Sequence, residues 1–192
     1  EISLFFAHDL DISGNSVGDT AAYDPVTGGV DHYKDAIYFM PNAHAAKVEG
    51  LAGFAVGQKN IGNLQGTFRD AEDGILSGNS IAQGSVDSVI SVSLSVEGGS
   101  RESAYYWLSA GESWQEVRRL DATVKDKGPE NLIARTSFYW RLWIRKEDHR
   151  LELLPDNVGN LYRRSLLILR KQIDWQGGII AANDSDVVRF NR

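Results

Sequence analysis

The alternation of apolar residues and serines over residues 86–96 constrains the fold of this chain more than any other feature of its sequence. Ile90, Val92, Leu94 and Val96 alternate with three serines. A period of two residues is typical of a β-strand with one buried face. Such a strand requires neighbouring strands to pair with and a second layer that covers its apolar side.

Further runs of β-type residues lie between turn residues in the first 110 positions. The predicted strands cover residues 2–7, 36–40, 51–56 and 104–109. Turn signals rich in glycine separate these runs, at residues 25–29 and 97–99. Many short strands with frequent turns predict an antiparallel sandwich.

Helical signals replace the strand signals after residue 111. Ser113 and Glu116 have the spacing of a capping box, which predicts a helix to about Thr123. Pro129 is favoured in a first helical turn, so a second helix is predicted from there towards Lys146. We therefore expect a mainly β fold with C-terminal helices.

A third helix is predicted after Pro155, with a stop at Gly177 and Gly178. One face of this helix is apolar at helical spacing. It consists of Val158, Tyr162, Leu166, Leu169 and Ile173. The apolar face of this helix needs a further element to pack on, and the first residues of the chain already have a strand pattern. We therefore expect that both ends are cuts through a larger protein.

Charge and composition exclude several classes of function. The net charge is -6, with 20 basic against 26 acidic residues, so a nucleic-acid partner is not expected. The chain has no cysteine, which excludes disulfides and thiol catalysis and fits a reducing cytoplasm. No apolar run reaches the length of a membrane span. The glycines match no nucleotide-binding motif, so no cofactor is expected.

An acidic group at residues 69–74 and the histidines are the candidate chemical groups. Asp70, Glu72 and Asp73 could ligate calcium or act as an acid and base pair, but aspartate and glycine clusters also form turns. Four histidines stand at positions without metal-ligand spacing, and a metal site is not expected. They are His8, His32, His44 and His149.

Five tryptophans allow two interpretations, because flat aromatic rings both stack on sugars and fill cores. Trp107, Trp114, Trp140 and Trp143 lie in periodic or capping contexts that favour packing. Trp175 lies beside two glycines and is the best candidate for a residue near a cleft.

Several segments, in order along nearly the whole chain, resemble glycoside hydrolase family 15, in its bacterial and archaeal glucoamylase, glucodextranase and trehalase branch. Residues 165–174 and 178–186 resemble the start of the catalytic domain of that family. Three upstream segments resemble its β-domain and the region that follows it: residues 18–25, 66–85 and 139–143.

The resemblance implies a particular domain arrangement. Residues 1–110 would be part of an antiparallel super-β-sandwich that is incomplete at its N-terminus. Residues 111–154 would form a helical linker. Residues 155–192 would begin a six-fold α/α-barrel catalytic domain, with its first helix at 155–174.

The resemblance also implies an inverting exo-acting hydrolase that releases glucose from α-glucosides and needs no metal or cofactor. Its two catalytic glutamates map onto no residue of this chain, so no catalytic residue is assigned. Asn183, Asp184, Ser185 and Asp186 match the segment before the sugar-binding pair of the family and would lie at the pocket rim. A polar loop packed against the β-domain is the alternative interpretation of these four residues.

Three hypotheses for the whole protein follow. The first is the hydrolase, with the remaining barrel and an N-terminal segment as partners and an α-glucan or α-glucoside as substrate. The second is a stand-alone carbohydrate-binding or interaction module without catalysis. The third is a nicked enzyme in which this chain pairs with complementary fragments.

Overall fold

A computed structural model describes residues 1–15, 17–60, 62–63, 65–146, 151 and 153–179. The chain divides into two compact units, Glu1–Glu130 and Asn131–Arg192. Within the described residues, no helix is long and apolar enough to cross a membrane.

The described residues of the first unit form eight strands in two antiparallel sheets. The strands are β1 (Ile2–His8), β2 (Asp19–Asp24), β3 (Gly29–Lys34), β4 (Ile37–Ala45), β5 (Gly53–Gln58), β6 (Ile81–Gly84), β7 (Val86–Leu94) and β8 (Ala104–Gly111). A three-stranded sheet has the order β1-β7-β5, and a five-stranded sheet has the order β6-β2-β3-β4-β8. These sheets confirm the predicted antiparallel, mainly β class.

The core lies between the two sheets, as expected for a sandwich. Ala21, Val30 and Ala43 from the five-stranded sheet form one buried cluster with Val56 and Ile90 from the three-stranded sheet. Tyr23 and Phe54 stack across the two sheets, with ring centroids 3.8 Å apart. Apolar faces of both sheets are thus removed from water together, which is the main favourable term in forming this unit.

Strand β7 follows the predicted alternation only on its inner face. Ile90 and Val92 belong to the core as predicted, but the strand ends at Leu94 and Val96 is 37% exposed. Ser91 on the opposite face is buried too, because the segment 65–79 covers that face of the sheet. The period of two residues therefore predicted one buried face, whereas both faces of this strand are buried.

Strands β2, β3 and β6 escaped the sequence prediction. Strands β2 and β3 carry aspartates and a histidine that are buried, and such residues are usually exposed. Strand β4 was predicted to end at Met40 but continues through Pro41. The proline is tolerated because the ladder between β3 and β4 ends at Phe39.

The predicted helices are present. Helix α1 (Trp114–Lys127) begins after Ser113, whose hydroxyl oxygen accepts a hydrogen bond from the Glu116 amide at 3.3 Å. Helix α1 continues one turn beyond the predicted end and stops at Gly128. Helix α2 (Pro129–Arg145) begins at the predicted proline, and helix α3 (Asp156–Lys171) follows Pro155. The domain boundaries at residues 110 and 154, and the identification of α3 with a barrel helix, stay predictions.

Candidate functional site

The predicted pocket-rim residues Asn183, Asp184, Ser185 and Asp186 lie outside the described residues. His149 also lies outside them. The role proposed for the four rim residues stays a prediction. The sites below are built from the described residues alone.

A groove of about 880 Å³ opens on the first unit beside the edge strands β5 and β6. The segment 65–79 forms its third side. Its lining combines polar and apolar surface, and the polar part includes Arg69, Asp70, Asp73, Asn79 and Gln83. The sequence indicated the acidic part of this lining, but not that the edges of two different sheets meet it.

The acidic group at residues 69–74 shapes one wall of this groove. Asp70 accepts a hydrogen bond from the Ser77 amide at 2.7 Å, and Asp73 accepts one from the Ile75 amide at 2.9 Å. Both carboxylates therefore hold turns of their own segment, which favours the turn-forming interpretation. Among the described residues there is no group of three or more acidic or histidine side chains placed to hold a metal ion.

A buried carboxylate on β7 anchors the start of the same segment. Asp87 accepts hydrogen bonds from the Thr67 amide at 2.9 Å and from the Thr67 hydroxyl at 3.0 Å. Burial raises the pKa of Asp87, and the Thr67 hydrogen bonds and Lys59 oppose that rise. Gly66 has φ +74°, and a Cβ at this position would collide with the Asp87 carboxylate. Only glycine fits there without rearrangement.

A second polar cluster attaches α1 to the outer face of the five-stranded sheet. Arg118 donates two hydrogen bonds to Asp24, at 2.8 and 2.5 Å. The guanidinium carbon of Arg118 also lies 3.3 Å from the ring centroid of Trp114, within cation–π range. Trp114 in turn donates its indole N–H to Asp31 at 2.9 Å.

Asp31 and Asp121 are the buried acceptors of this helix-docking cluster. Burial raises the pKa of Asp31 to about 6, against the hydrogen bond from Trp114, and one Asp31 oxygen has no partner in the described structure. Asp121 accepts hydrogen bonds from Asn42 at 3.0 Å and from Trp107 at 2.9 Å. Trp107 is half-buried and Trp114 is 40% exposed, and both donate hydrogen bonds that attach α1 to the sheet.

A third cluster brings two histidines to one serine between the sheets. The Ser88 hydroxyl lies 2.7 Å from His32 Nε2 and 3.3 Å from His8 Nδ1. His8 Nε2 lies 3.0 Å from the Tyr106 hydroxyl. Serine beside histidine is the composition of a nucleophilic site, but Ser88 is 0% exposed and His32 is 1% exposed. This cluster is a polar part of the core.

Aromatic residues of the second unit are more exposed than those of the first. Trp175 is 91% exposed, and its place near a cleft stays a prediction. On α2, Trp140 and Trp143 meet edge to face at 5.9 Å and are half-buried. The packing interpretation of their spacing stays a prediction.

No family model and no curated protein matches this sequence. Among solved structures, the chain is similar to a bacterial glucoamylase in complex with acarbose, with a TM-score of 0.59 and 16% sequence identity. The match covers 88% of this chain but 24% of that protein, so this chain spans about a quarter of the length of the glucoamylase. At this identity the similarity concerns the fold. The chain therefore has a glucoamylase-like fold.

Proposed function

We propose that this chain is a non-catalytic β-domain region of an inverting, exo-acting glycoside hydrolase of family 15. The parent enzyme would release glucose from α-glucosides, with a glucoamylase substrate favoured over those of trehalase and glucodextranase. Its general acid and general base would be carboxylates of the remaining polypeptide, which would form the α/α barrel. The observation that carries this proposal is the fold similarity to a bacterial glucoamylase over 88% of the chain.

Exposed apolar residues on the C-terminal helices support a larger parent protein. Helix α2 exposes Phe138 and Leu142, and helix α3 exposes Leu161, Ile168 and Leu169. Apolar surface of this kind marks an interaction site or an aggregation hazard. We assign it to contact with the remaining barrel, and we keep the proposal that Asn183 to Asp186 lie at the rim of its pocket.

Native mass spectrometry followed by an activity assay tests the proposal. We expect the purified protein to have a mass larger than the 21.2 kDa of this chain, from a longer or complementary polypeptide. That complete protein should release glucose from maltotriose, and NMR should detect the β-anomer first because the mechanism inverts the configuration.

The isolated chain is the matched control. It should release no glucose from maltotriose or trehalose, because its proposed role excludes the catalytic carboxylates. Glucose release by a contaminant-free preparation of this chain contradicts the assigned role. A complete protein that binds α-glucans without hydrolysing any of them favours the carbohydrate-binding module instead.

A further inference from the structure

The groove beside β5 and β6 has walls that hydrogen bonds hold in place. The Asn79 side chain donates to the Val56 carbonyl oxygen at 2.5 Å and to that of Ile81 at 3.3 Å. The Gln58 side chain donates to the Gln83 carbonyl oxygen at 2.5 Å. The side-chain amides of Asn79 and Gln58 thus connect β5 with β6 and with the residues just before β6. A ligand would therefore meet a preformed surface and would lose little affinity to ordering it.

The edge of β5 beside this groove is already paired. The Val56 amide donates to the Asn79 carbonyl oxygen at 3.0 Å, and the Gly78 amide donates to that of Phe54 at 3.0 Å. A peptide that binds by adding a strand needs free backbone groups along an exposed edge. The pairing with residues 78–79 occupies those groups, so an extended peptide is disfavoured as the occupant.

Side chains that line the groove remain available to a ligand. The Arg69 side chain is exposed and forms no ion pair or hydrogen bond with the described residues. The Gln65 and Gln83 side chains are exposed as well, and each amide both donates and accepts hydrogen bonds. Val56 and Ala82 add a small apolar floor.

The charges of the lining select the class of ligand. Arg69 disfavours a cation, while Asp70 and Asp73 disfavour an anion. Sugar hydroxyls both donate and accept hydrogen bonds, and they suit a mixed set of guanidinium, carboxylate and amide groups.

We propose that this groove binds a neutral, hydroxyl-rich oligosaccharide and serves as an accessory contact for the α-glucan. The identification of the sugar as an α-glucan rests on the proposed function. The groove would hold a second part of a long substrate and raise its local concentration near the parent enzyme.

An NMR titration of this chain with maltoheptaose tests the proposal. We expect chemical-shift changes at the amides of residues 65–70 and 79–83. The Arg69→Ala variant should bind about tenfold more weakly, since hydrogen bonds to charged groups contribute ~1.5 kcal/mol or more. The Gln83→Ala variant should weaken binding less. Arg101→Ala, which removes another exposed arginine of the first unit, should leave the affinity unchanged.

Two results overturn the proposal. One is the absence of shift changes in the groove at millimolar maltoheptaose. The other is binding that Arg69→Ala and Gln83→Ala leave unaltered. Hydrolysis of maltotriose by the complete protein is a separate measurement, so an empty groove in an active enzyme rejects the accessory site alone. A groove that binds maltoheptaose in a protein without activity rejects the hydrolase alone.

Discussion

At the scale of single residues, buried polar groups determine how this domain responds to pH and to substitution. Burial lowers the pKa of His8 to about 4 and that of His32 to about 3, against an ordinary value of 6.5. The hydrogen bond between His8 and Ser88 opposes the lowering of the His8 pKa. The nearby His8 imidazole lowers the pKa of His32 further. Both imidazoles are therefore neutral in the folded state at neutral pH.

We expect acid to destabilise the first unit through these histidines. The unfolded chain binds protons below pH 6.5, whereas the folded histidines bind them only near pH 4 and 3. The free energy of unfolding should fall as the pH is lowered through this window. Asp31 acts in the opposite direction, because its folded pKa of about 6 exceeds its unfolded value of 3.8. Its contribution favours folding below pH 3.8 and is lost as the pH rises through 6.

Urea unfolding at neutral and acidic pH checks the direction in which Asp31 and His32 change the free energy of unfolding. Asp31→Asn should raise the free energy of unfolding at neutral pH, because it removes the buried charge of the carboxylate. His32→Gln should flatten the fall in stability between pH 6.5 and 4. An unchanged pH profile for His32→Gln would assign the acid sensitivity to other groups.

Gly66 offers a sharp test of how the groove segment is anchored. Gly66→Ala combines a positive φ with a collision against the Asp87 carboxylate. We expect it to lower the free energy of unfolding by about 2 kcal/mol. Gly98→Ala is the matched control, because a Cβ at Gly98 meets nothing within 4 Å. Equal denaturation midpoints for the two variants would contradict the anchoring role.

At the scale of elements, helix α1 is attached to its sheet by polar contacts as much as by apolar ones. Val117 of the helix is fully buried. Three further residues of the helix connect it to β2, β3, β4 and β8: Arg118, Trp114 and Asp121. Hydrogen bonds between specific partners fix the rotation and position of a helix more narrowly than apolar contacts do.

Arg118→Ala tests this attachment. It leaves the buried Asp24 carboxylate without its charged partner, so we expect a loss of about 2 kcal/mol in the free energy of unfolding. Arg119→Ala is the control, because Arg119 is exposed and its contact with Glu116 is 4.0 Å long. That variant should change stability by about 0.5 kcal/mol or less. Tryptophan fluorescence should report the altered environment of Trp114 in Arg118→Ala but not in Arg119→Ala.

At the scale of the whole molecule, the two compact units differ in how fully they bury their apolar residues. The first unit contains a closed cluster between two sheets. In the second, helix α3 exposes large apolar residues, including Leu161 and Ile168. A soluble protein rarely leaves such a surface uncovered.

We therefore expect the isolated chain to self-associate through these helices. Leu161→Lys combined with Ile168→Lys should reduce light scattering at a given protein concentration, because charge replaces exposed apolar surface. In the proposed complete protein, the same two substitutions should lower the free energy of unfolding if the proposed barrel covers Leu161 and Ile168. Val26→Lys is a control, because Val26 is an exposed apolar residue on a turn of the first unit. Equal scattering by all variants would contradict self-association through α3.

Much of the fold could be predicted because local patterns carry it. The capping box at Ser113, the proline at 129 and the alternation around Ile90 each depend on neighbours in the sequence. Strands β2 and β3 could not be predicted in this way. Buried Asp31 and His32 of β3 form hydrogen bonds with partners from distant segments, Trp114 and Ser88, and no local pattern reveals such partners.

The candidate site could likewise be predicted only in part. The sequence by itself indicated an acidic segment at residues 69–74, with a turn as one of its two interpretations, and a mainly β chain with C-terminal helices. Only the tertiary structure placed that segment against the edges of β5 and β6, through the buried contact between Asp87 and Thr67. The physical reason is range: turn and helix preferences act between residues a few positions apart, whereas a groove forms where burial brings distant strands together.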